Sequence, residues 1–476
     1  MIIYATRNPP APFPVLSHND LRAWEHFQHR TSRDVMGPFN SPFWSSTILR
    51  LAQEFPAVKH ALLALSIMHE KFCLPEKGHP SSHQHAMHHY NIAIRQIVRV
   101  TDSESSWVGV LLTCIMFCAI ESLRGNFSKC LQHARSGMKI AEQVRQEAHS
   151  GQKTRSVDLE MLDRTFTALQ NQIMRLGDSS TSEVFQNLHQ KFGPVPQQLE
   201  SVEEAQTWLE ILLNEVMAFL NDHEPIYEAQ RLSSGTVNMS TIPKFCMLRQ
   251  RVESWSIAVN NIESRADINS GTRYQAFLIL KIYQSILKVL LEALLREEDV
   301  FDTFNSELAG ALKLAEVFLQ LQGSSGRLGP HDTGVLGARL CGTALALSKP
   351  PTVPTFSMSM GVIPVLVLVS IKSNKPEIRD EALRLLRCSN RREGIWDSKW
   401  ASDLANRIIE RKKQFDPIQD RTGQQRRLKI LGVKFGEKSC IVELAFAPAP
   451  LFITGTNGQN RSTKTEYSFI EVIDFT

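Results

Sequence analysis

The stretch WVGVLLTCIMFCAIESLRGN, Trp107–Asn126, decides the fold class of this chain. It is apolar on nearly every side as far as Ile120, and a helix of that kind in a soluble protein lies at the centre of its domain. Gly125 is expected to end the helix, because glycine readily adopts the left-handed conformation that closes a helix. The segment from Phe127 to about Gln146 again has apolar residues at helical spacing. The two segments therefore predict an antiparallel helical hairpin in the core.

Apolar residues recur at helical spacing through most of the remaining chain. A helix is predicted to begin near Pro42 and another at Pro56, and Ser201 with Glu204 matches a capping box at a further helix start. More helices are predicted over about 82–100, 244–264, 272–296, 300–322, 332–347, 360–371, 376–388 and 397–414. We therefore predict an all-α fold, a large helical domain of antiparallel helix pairs.

The C-terminal part of the chain differs in character. Runs rich in β-branched and aromatic residues predict a small β element there, with strands at Leu428–Val433, Cys440–Ala447 and Tyr467–Phe475. We therefore divide the chain into an extended N-terminal arm over 1–40, a helical domain over 41–415 and a C-terminal tail with short strands over 416–476. A polar linker is predicted inside the helical domain, near 147–158.

The composition limits the kinds of function. The 53 basic and 49 acidic side chains leave a formal net charge of +4, far from the basic surface of a dedicated nucleic-acid binder. The eight cysteines form no Cys-x-x-Cys pair, which favours a reducing compartment, the nucleus or the cytoplasm. The longest strongly apolar runs, Trp107–Ile120 and Val362–Ile371, are shorter than the roughly 20 residues that span a bilayer. We therefore predict no membrane segment.

Motifs that carry catalysis or bind cofactors do not occur in the sequence. It has no phosphate-binding glycine loop, no zinc-protease motif and no nucleophile elbow. We therefore assign no catalytic residue and no cofactor, and we predict that the chain is not an enzyme.

Five histidines are the best candidates for metal ligands: His79, His83, His85, His88 and His89. His85 and His89 share one helix face, and imidazole is a good ligand for zinc or copper. No acid or thiol nearby completes a ligand set, so we expect a solvated helix start, no metal site and no structural metal. Cys114 and Cys118 have the same spacing, but buried thiols packed as small apolar side chains are the expected interpretation.

Two basic groups are separated by a twelve-residue spacer. They are Arg411, Lys412 and Lys413, and Arg426, Arg427 and Lys429. This spacing is typical of a bipartite nuclear import signal, in which acidic pockets on a carrier bind both groups. The other interpretation is a solvated helix end followed by a charged strand flank.

Three segments together resemble the fungal-specific regulatory domain of zinc binuclear cluster transcription factors. They are FWSSTILRLAQEFPAVKHALLALSIMHE (Phe43–Glu70), HYNIAIRQI followed by VLLTCIMFCAIESLRGNFSKCLQHARSGMKI (within His89–Ile140), and ALRLLRCSNRREGIWDS (Ala382–Ser398). The stretch SVEEAQTWLEILLNEVMAFL, 201–220, resembles the mid-domain helix of the same family. The resemblance covers about residues 40–445 and implies a helical regulatory domain.

The residues of these segments also have packing interpretations. Glu121 closes the apolar helix and is expected to pair with Arg124 or Arg135, because a lone buried acid must be neutralised. Four further residues are expected to form a polar anchor between helices: Arg391, Arg392, Glu393 and Trp396.

The chain departs from the family's pattern at the DNA-binding module. Typical members carry, before the regulatory domain, six cysteines that hold two zinc ions and place a short helix in the DNA major groove. Here no cysteine precedes Cys73, and no later spacing fits. The chain is either a relative without the cluster or part of a longer gene product. An upstream reading frame with the six-cysteine pattern would decide between them.

The resemblance implies a transcription regulator of the nucleus, or of the cytoplasm, that has no DNA-binding module of its own and is tied to a secondary-metabolite gene cluster. Its expected partners are other proteins or a second copy of the chain, and a small-molecule effector is a further candidate. We expect no sequence-specific DNA binding. Two alternatives stay open: an enzyme or accessory protein of a biosynthetic pathway on a helical fold, and a helical protein-interaction scaffold.

Overall fold

A computed structural model describes residues 17–74, 82–99, 106–149, 162, 165, 166, 168, 169, 193–222, 241–263, 271–293, 300–325, 351, 353–415, 427–435, 439–447 and 468–474. The N-terminal helices are α1 (His18–His26), α2 (Ser32–Met36), α3 (Ile48–Glu54), α4 (Pro56–Cys73), α5 (Ser82–Arg99), α6 (Ser106–Leu123) and α7 (Phe127–His149). The later helices are α8 (Val202–Asp222), α9 (Thr241–Glu263), α10 (Gly271–Ala293), α11 (Val300–Thr303), α12 (Asn305–Ser325), α13 (Ile363–Lys372), α14 (Pro376–Ser389) and α15 (Ser398–Phe415). The predicted all-α class is confirmed. The helix predicted over 332–347 lies outside the described residues, as does most of the linker predicted near 147–158.

Helix α6 lies at the centre of the N-terminal half, as its sequence predicts. Every residue from Leu111 to Leu123 is buried, and the helix packs against α4 on one side and α7 on the other. Gly125, with φ of +74°, ends the helix. Its N–H donates to the Ser122 carbonyl and the Asn126 N–H to the Glu121 carbonyl, both at 2.9 Å, so the last carbonyls of the helix are satisfied.

The segment before α3 differs from the expectation. Residues 18–36 are helical where an extended arm was predicted, so that prediction is wrong for residues 18–36; residues 1–16 lie outside the described residues. Ser17 caps α1 by accepting a hydrogen bond from the Asp20 N–H at 3.2 Å. A π-helical turn, Phe27–Thr31, joins α1 to α2. Phe27, fully buried, and Phe39, 2% exposed, fix this segment to the core.

Glu121 is paired as expected. Its carboxylate is fully buried and accepts two hydrogen bonds from the Arg124 guanidinium, at 2.8 and 3.0 Å. The same carboxylate lies near Tyr90, whose pKa is raised, first by burial and then by the negative charge of Glu121. Because Arg124 supplies the opposite charge at the end of α6, the buried acid is compensated where the helix emerges from the core.

A short mixed sheet forms between residues 355 and 397, with one parallel and one antiparallel pairing. Strand β1 (Thr355–Ser357) pairs in parallel with β2 (Arg391–Glu393), which pairs antiparallel with β3 (Trp396–Asp397). Glu393 is 1% exposed and accepts hydrogen bonds from the Val362 and Ile363 N–H groups at 3.0 and 2.9 Å, which caps the start of α13. It also accepts one from Arg391 Nε at 2.6 Å.

Arg392 connects this sheet to the end of α6. Its guanidinium donates to the Ser122 and Leu123 carbonyls at the end of α6, at 2.7 and 3.0 Å, and pairs with Asp397 at 2.7 Å. The polar anchor expected of Arg391, Arg392 and Glu393 is therefore present. It holds the end of α6 near the start of α13, and the bond between Arg392 and Ser122 spans 270 residues of sequence. Trp396 contributes its ring, stacked on Trp400 with centroids 5.3 Å apart.

The C-terminal strands form a separate antiparallel sheet, confirming the predicted β element. Strand β5 (Ser439–Ala447) lies between β4 (Arg427–Phe435) and β6 (Ser468–Asp474). The pairing of β4 with β5 shifts register between Ile430 and Gly432, where a bulge interrupts the ladder. Helix α15 contacts β6, so the sheet lies against the helical part of the chain.

The helices of the middle region pack against one another. The capping box predicted at the start of α8 is present: Ser201 Oγ accepts from the Glu204 N–H at 3.1 Å, and the Glu204 carboxylate accepts from the Glu200 N–H at 2.7 Å.

By length and composition, Gly271–Glu292 of α10 could cross a membrane, but 72% of its most apolar stretch is buried inside the fold. Its contacts with α8, α9 and α12 account for its apolar character as a core helix.

Candidate functional site

The helix α5 histidines meet an acid that the sequence analysis did not anticipate. His85 Nε2 lies 3.0 Å and His89 Nε2 lies 2.9 Å from the same oxygen, Oδ1 of Asp20 on α1. The two Nε2 atoms are 3.1 Å apart. No acid lies near these histidines in the sequence, but in the structure α1 brings Asp20 to α5 from 65 residues earlier in the chain.

A third imidazole, that of His60, contacts the Nδ1 atom of His89. His60 on α4 places its Nδ1 2.8 Å from Nδ1 of His89, and the two rings stack with centroids 5.1 Å apart. Burial lowers the pKa of His89 and lowers that of His60 to about 4, so both rings are neutral near pH 7. Burial alone would raise the pKa of Asp20, but its hydrogen bonds with His89 and Ser17 outweigh that effect and lower it.

The other predicted histidines stay outside this cluster. His88 is exposed, with its ring centroid 5.8 Å from that of His89, and His83 is partly exposed on the preceding turn. His79 lies outside the described residues. Cys114 and Cys118 are buried, and burial raises the pKa of Cys114 to about 11, as expected of thiols packed as apolar side chains.

A second cluster combines an acid, an imidazole and a thiol. His69 Nε2 lies 3.5 Å from Asp34 Oδ2 and 3.4 Å from Cys73 Sγ. A catalytic triad needs the acid on one imidazole nitrogen and the nucleophile on the other, whereas here both approach Nε2. Burial also raises the pKa of Cys73 to about 12, which keeps the thiol protonated. Asp34 is already paired with Arg30, at 2.6 Å. This geometry favours packing over nucleophilic catalysis.

The burial of His69 predicts a pH dependence of stability. His69 is fully buried beside His26, Arg30, Asp34 and Cys73, and burial lowers its pKa from 6.5 to about 3. The unfolded chain therefore binds a proton below pH 6.5 that the folded chain does not. Keeping His69 neutral therefore contributes to the free energy of unfolding. That contribution is fully present above about pH 6.5 and decreases as the pH falls towards 3.

Replacing His69 by Gln removes the titrating group. Between about pH 8 and about pH 5, wild type is expected to lose about 2 kcal/mol more unfolding free energy than His69→Gln, since each pH unit below 6.5 contributes about 1.4 kcal/mol. Urea unfolding of both proteins at the two pH values measures the difference. Equal losses would show that His69 is protonated in the folded state.

The predicted nuclear import residues fall on two different elements. Arg411, Lys412 and Lys413 lie in the last turns of α15, and Lys412 Nζ donates to the Ile371 carbonyl of α13 at 2.6 Å. Arg427 and Lys429 lie on β4, opposite Ala447 and Ala445 of β5. Arg426 lies outside the described residues. The import signal stays a prediction.

Comparison with known proteins finds a family match within the N-terminal half of the chain. Residues 23–182 match the family model of the fungal-specific transcription factor domain. This segment is therefore similar to a fungal-specific transcription factor domain. In the described residues, the match includes α2 to α7, the central hairpin of α6 and α7, and three members of the histidine cluster, His60, His85 and His89.

The chain is also similar, over most of its length, to a transcription regulator. The aspercryptin biosynthesis cluster-specific transcription regulator of Emericella nidulans is 22% identical to it over 466 residues, covering 85% of this chain and 75% of that protein. No solved structure matches. The domain and this relative support a role in transcription regulation, which is carried out in the nucleus.

Proposed function

We propose that this chain regulates the transcription of a secondary-metabolite gene cluster through contacts with other proteins, without itself reading a DNA sequence. The observation that carries the proposal is the fungal-specific transcription factor domain over residues 23–182. The relative in Emericella nidulans supports the finer part, because it is named as the regulator of one biosynthesis cluster.

The small net charge and the positions of the cysteines support regulation without direct recognition of a DNA sequence. The net charge of +4 is small for 476 residues, and phosphate contacts by Lys and Arg supply most of the affinity in DNA binding. Among the described cysteines, Cys73, Cys114, Cys118 and Cys130 are buried in helices, where none has the spacing of the family's zinc ligands. A regulator of this composition reaches promoters through a partner that binds DNA.

The surface of α9 is a candidate for such protein contacts. Met247 and Ile257 lie on this helix and are 63% and 61% exposed, so both apolar side chains are accessible to a protein partner. No identity is assigned to the partner. The proposal requires only that the chain be recruited by protein contact.

We predict weak, sequence-independent binding of the purified chain to duplex DNA. Non-specific dissociation constants lie at about 10⁻⁴ to 10⁻⁶ M at physiological salt, and a near-balanced chain is expected at the weak end of that range. Gel-shift titration against promoter and scrambled duplexes of equal length measures the affinity and the selectivity. Nanomolar binding that prefers the promoter would overturn the proposal.

Recruitment in cells is tested separately by chromatin immunoprecipitation. The chain is expected at promoters of the genes it controls although the purified protein does not select them. Absence from all promoters in cells, under conditions in which the cluster is expressed, would argue against a regulator that acts on chromatin.

A further inference from the structure

Asp20, His85 and His89 place three ligand atoms around one point. Oδ1 of Asp20 and Nε2 of each histidine are 2.9, 3.0 and 3.1 Å apart in their three pairs. We propose that these residues bind one divalent transition-metal ion, with Zn²⁺ as the expected ion. The proposal does not depend on the role of the chain in transcription.

The distances match the ligand spacing of a tetrahedral zinc site. With zinc–nitrogen and zinc–oxygen bonds of roughly 2.0–2.1 Å, neighbouring ligand atoms of a tetrahedron are about 3.3 Å apart. The three separations in the cluster are shorter by only a few tenths of an ångström. A metal ion at the centre would be reached by all three ligands with small side-chain movements.

The contact of His60 with His89 accommodates the tautomer that a metal requires. A metal on Nε2 leaves the imidazole proton on Nδ1, and metal-binding histidines commonly donate that proton to a second group. Nδ1 of His89 lies 2.8 Å from Nδ1 of His60, which can accept the bond through its lone pair. When a cation displaces the proton between His89 Nε2 and Asp20, the Nε2 lone pair and the carboxylate oxygen both face the ion.

The chemistry and exposure of the ligands indicate the class of ion. Two imidazoles and one carboxylate suit zinc and its neighbours, whereas Ca²⁺ and Mg²⁺ prefer oxygen ligands alone. The side chain of His89 is 5% exposed, but those of Asp20 and His85 are 17% and 28% exposed. The site therefore faces solvent on one side, where a water molecule can supply the fourth ligand.

Zinc titration of the purified, metal-free full-length chain tests the proposal. Competition with a fluorescent zinc chelator gives the affinity, and thermal melting gives the stabilisation that accompanies binding. Wild type is expected to bind one Zn²⁺ at this site and to melt at a higher temperature with zinc. His85→Gln and Asp20→Asn are each expected to weaken binding at least tenfold and to abolish the shift in melting temperature.

His88→Gln is the matched control, because the same substitution is made one turn away on an exposed side chain of the same helix. It is expected to bind zinc as wild type does. Melting curves without zinc show whether each variant is folded. Equal zinc affinity of wild type, His85→Gln and Asp20→Asn would overturn the proposal and leave the cluster as a hydrogen-bonded one.

Cobalt substitution distinguishes this site from the cluster of Asp34, His69 and Cys73. Co²⁺ bound by imidazole and carboxylate gives visible absorption without the intense near-ultraviolet thiolate band that a Cys73 ligand would add. A thiolate band that persists in His85→Gln would place the metal at Cys73 and contradict the assignment to Asp20, His85 and His89.

Discussion

Replacing Leu112 by Ala is expected to lower the free energy of unfolding by about 2–5 kcal/mol. Leu112 is 1% exposed on α6, which is enclosed by α4 and α7. Truncation removes buried methyl groups and leaves a cavity that the close-packed neighbours only partly fill. Since domains are typically stable by only about 5–15 kcal/mol, the variant is expected to accumulate poorly in cells. Chemical denaturation of the purified protein measures the loss.

An isoleucine pair supplies the control for this prediction. Ile115 on α6 is fully buried, whereas Ile257 on α9 is 61% exposed. Ile115→Ala is expected to lose stability on the scale of Leu112→Ala, and Ile257→Ala to stay within about 0.5 kcal/mol of wild type. If the three variants were equally stable, α6 would not be the centre of the domain.

Replacing Glu393 by Ala is expected to destabilise the protein by about 3–5 kcal/mol. The substitution removes the acceptor of the Val362 and Ile363 N–H groups and leaves the Arg391 guanidinium, 4% exposed, without its counter-charge. An unpaired buried charge is more costly than the loss of the pair itself. Thermal and urea unfolding of the purified variant measure the effect.

An exposed ion pair gives the contrast. Arg249 and Glu253 on α9 lie 3.7 Å apart, with side chains 49% and 66% exposed. Glu253→Ala is expected to change stability by less than about 0.5 kcal/mol, because solvent screens such pairs. The double variant Arg391→Met with Glu393→Ala should lose less stability than the sum of the losses of Arg391→Met and Glu393→Ala, since the two residues interact directly. Additive losses would show that the pair is not coupled.

Local sequence patterns predicted the parts of the fold that depend on neighbouring residues. The apolar run of α6, its glycine end at Gly125 and the capping box at Ser201 are all encoded within a few positions. The three C-terminal strands follow from the same kind of local signal. In each case the residues that form the element also supply the evidence for it.

The N-terminal segment was missed for a physical reason. Its helices contain few apolar residues, and the π-helical turn at Phe27–Thr31 interrupts the regular helical period that sequence analysis detects. Phe27 and Phe39 are held by tertiary packing against the core, which no local pattern reports. The proline-rich residues that precede this segment made an extended arm the natural expectation.

The candidate metal site could be predicted only in part. The spacing of His85 and His89 placed both imidazoles on one helix face, and the structure brings them together. Asp20 and His60 come from α1 and α4, at separations of 65 and 29 residues, so no local motif links them to α5. Residues 18–26 were predicted to be extended, whereas they form α1, and it is from this helix that Asp20 reaches His85. The wrong prediction for this segment therefore left Asp20 out of the candidate site.

Transcript profiling of a deletion strain, with and without the reintroduced gene, tests the proposed function most directly. The transcripts of one contiguous set of biosynthetic genes are expected to change together on deletion and to return to their original levels on reintroduction, while most other transcripts stay constant. A deletion strain whose biosynthetic transcripts are all unchanged, under conditions in which the clusters are expressed, would contradict the assignment of this chain as a cluster regulator.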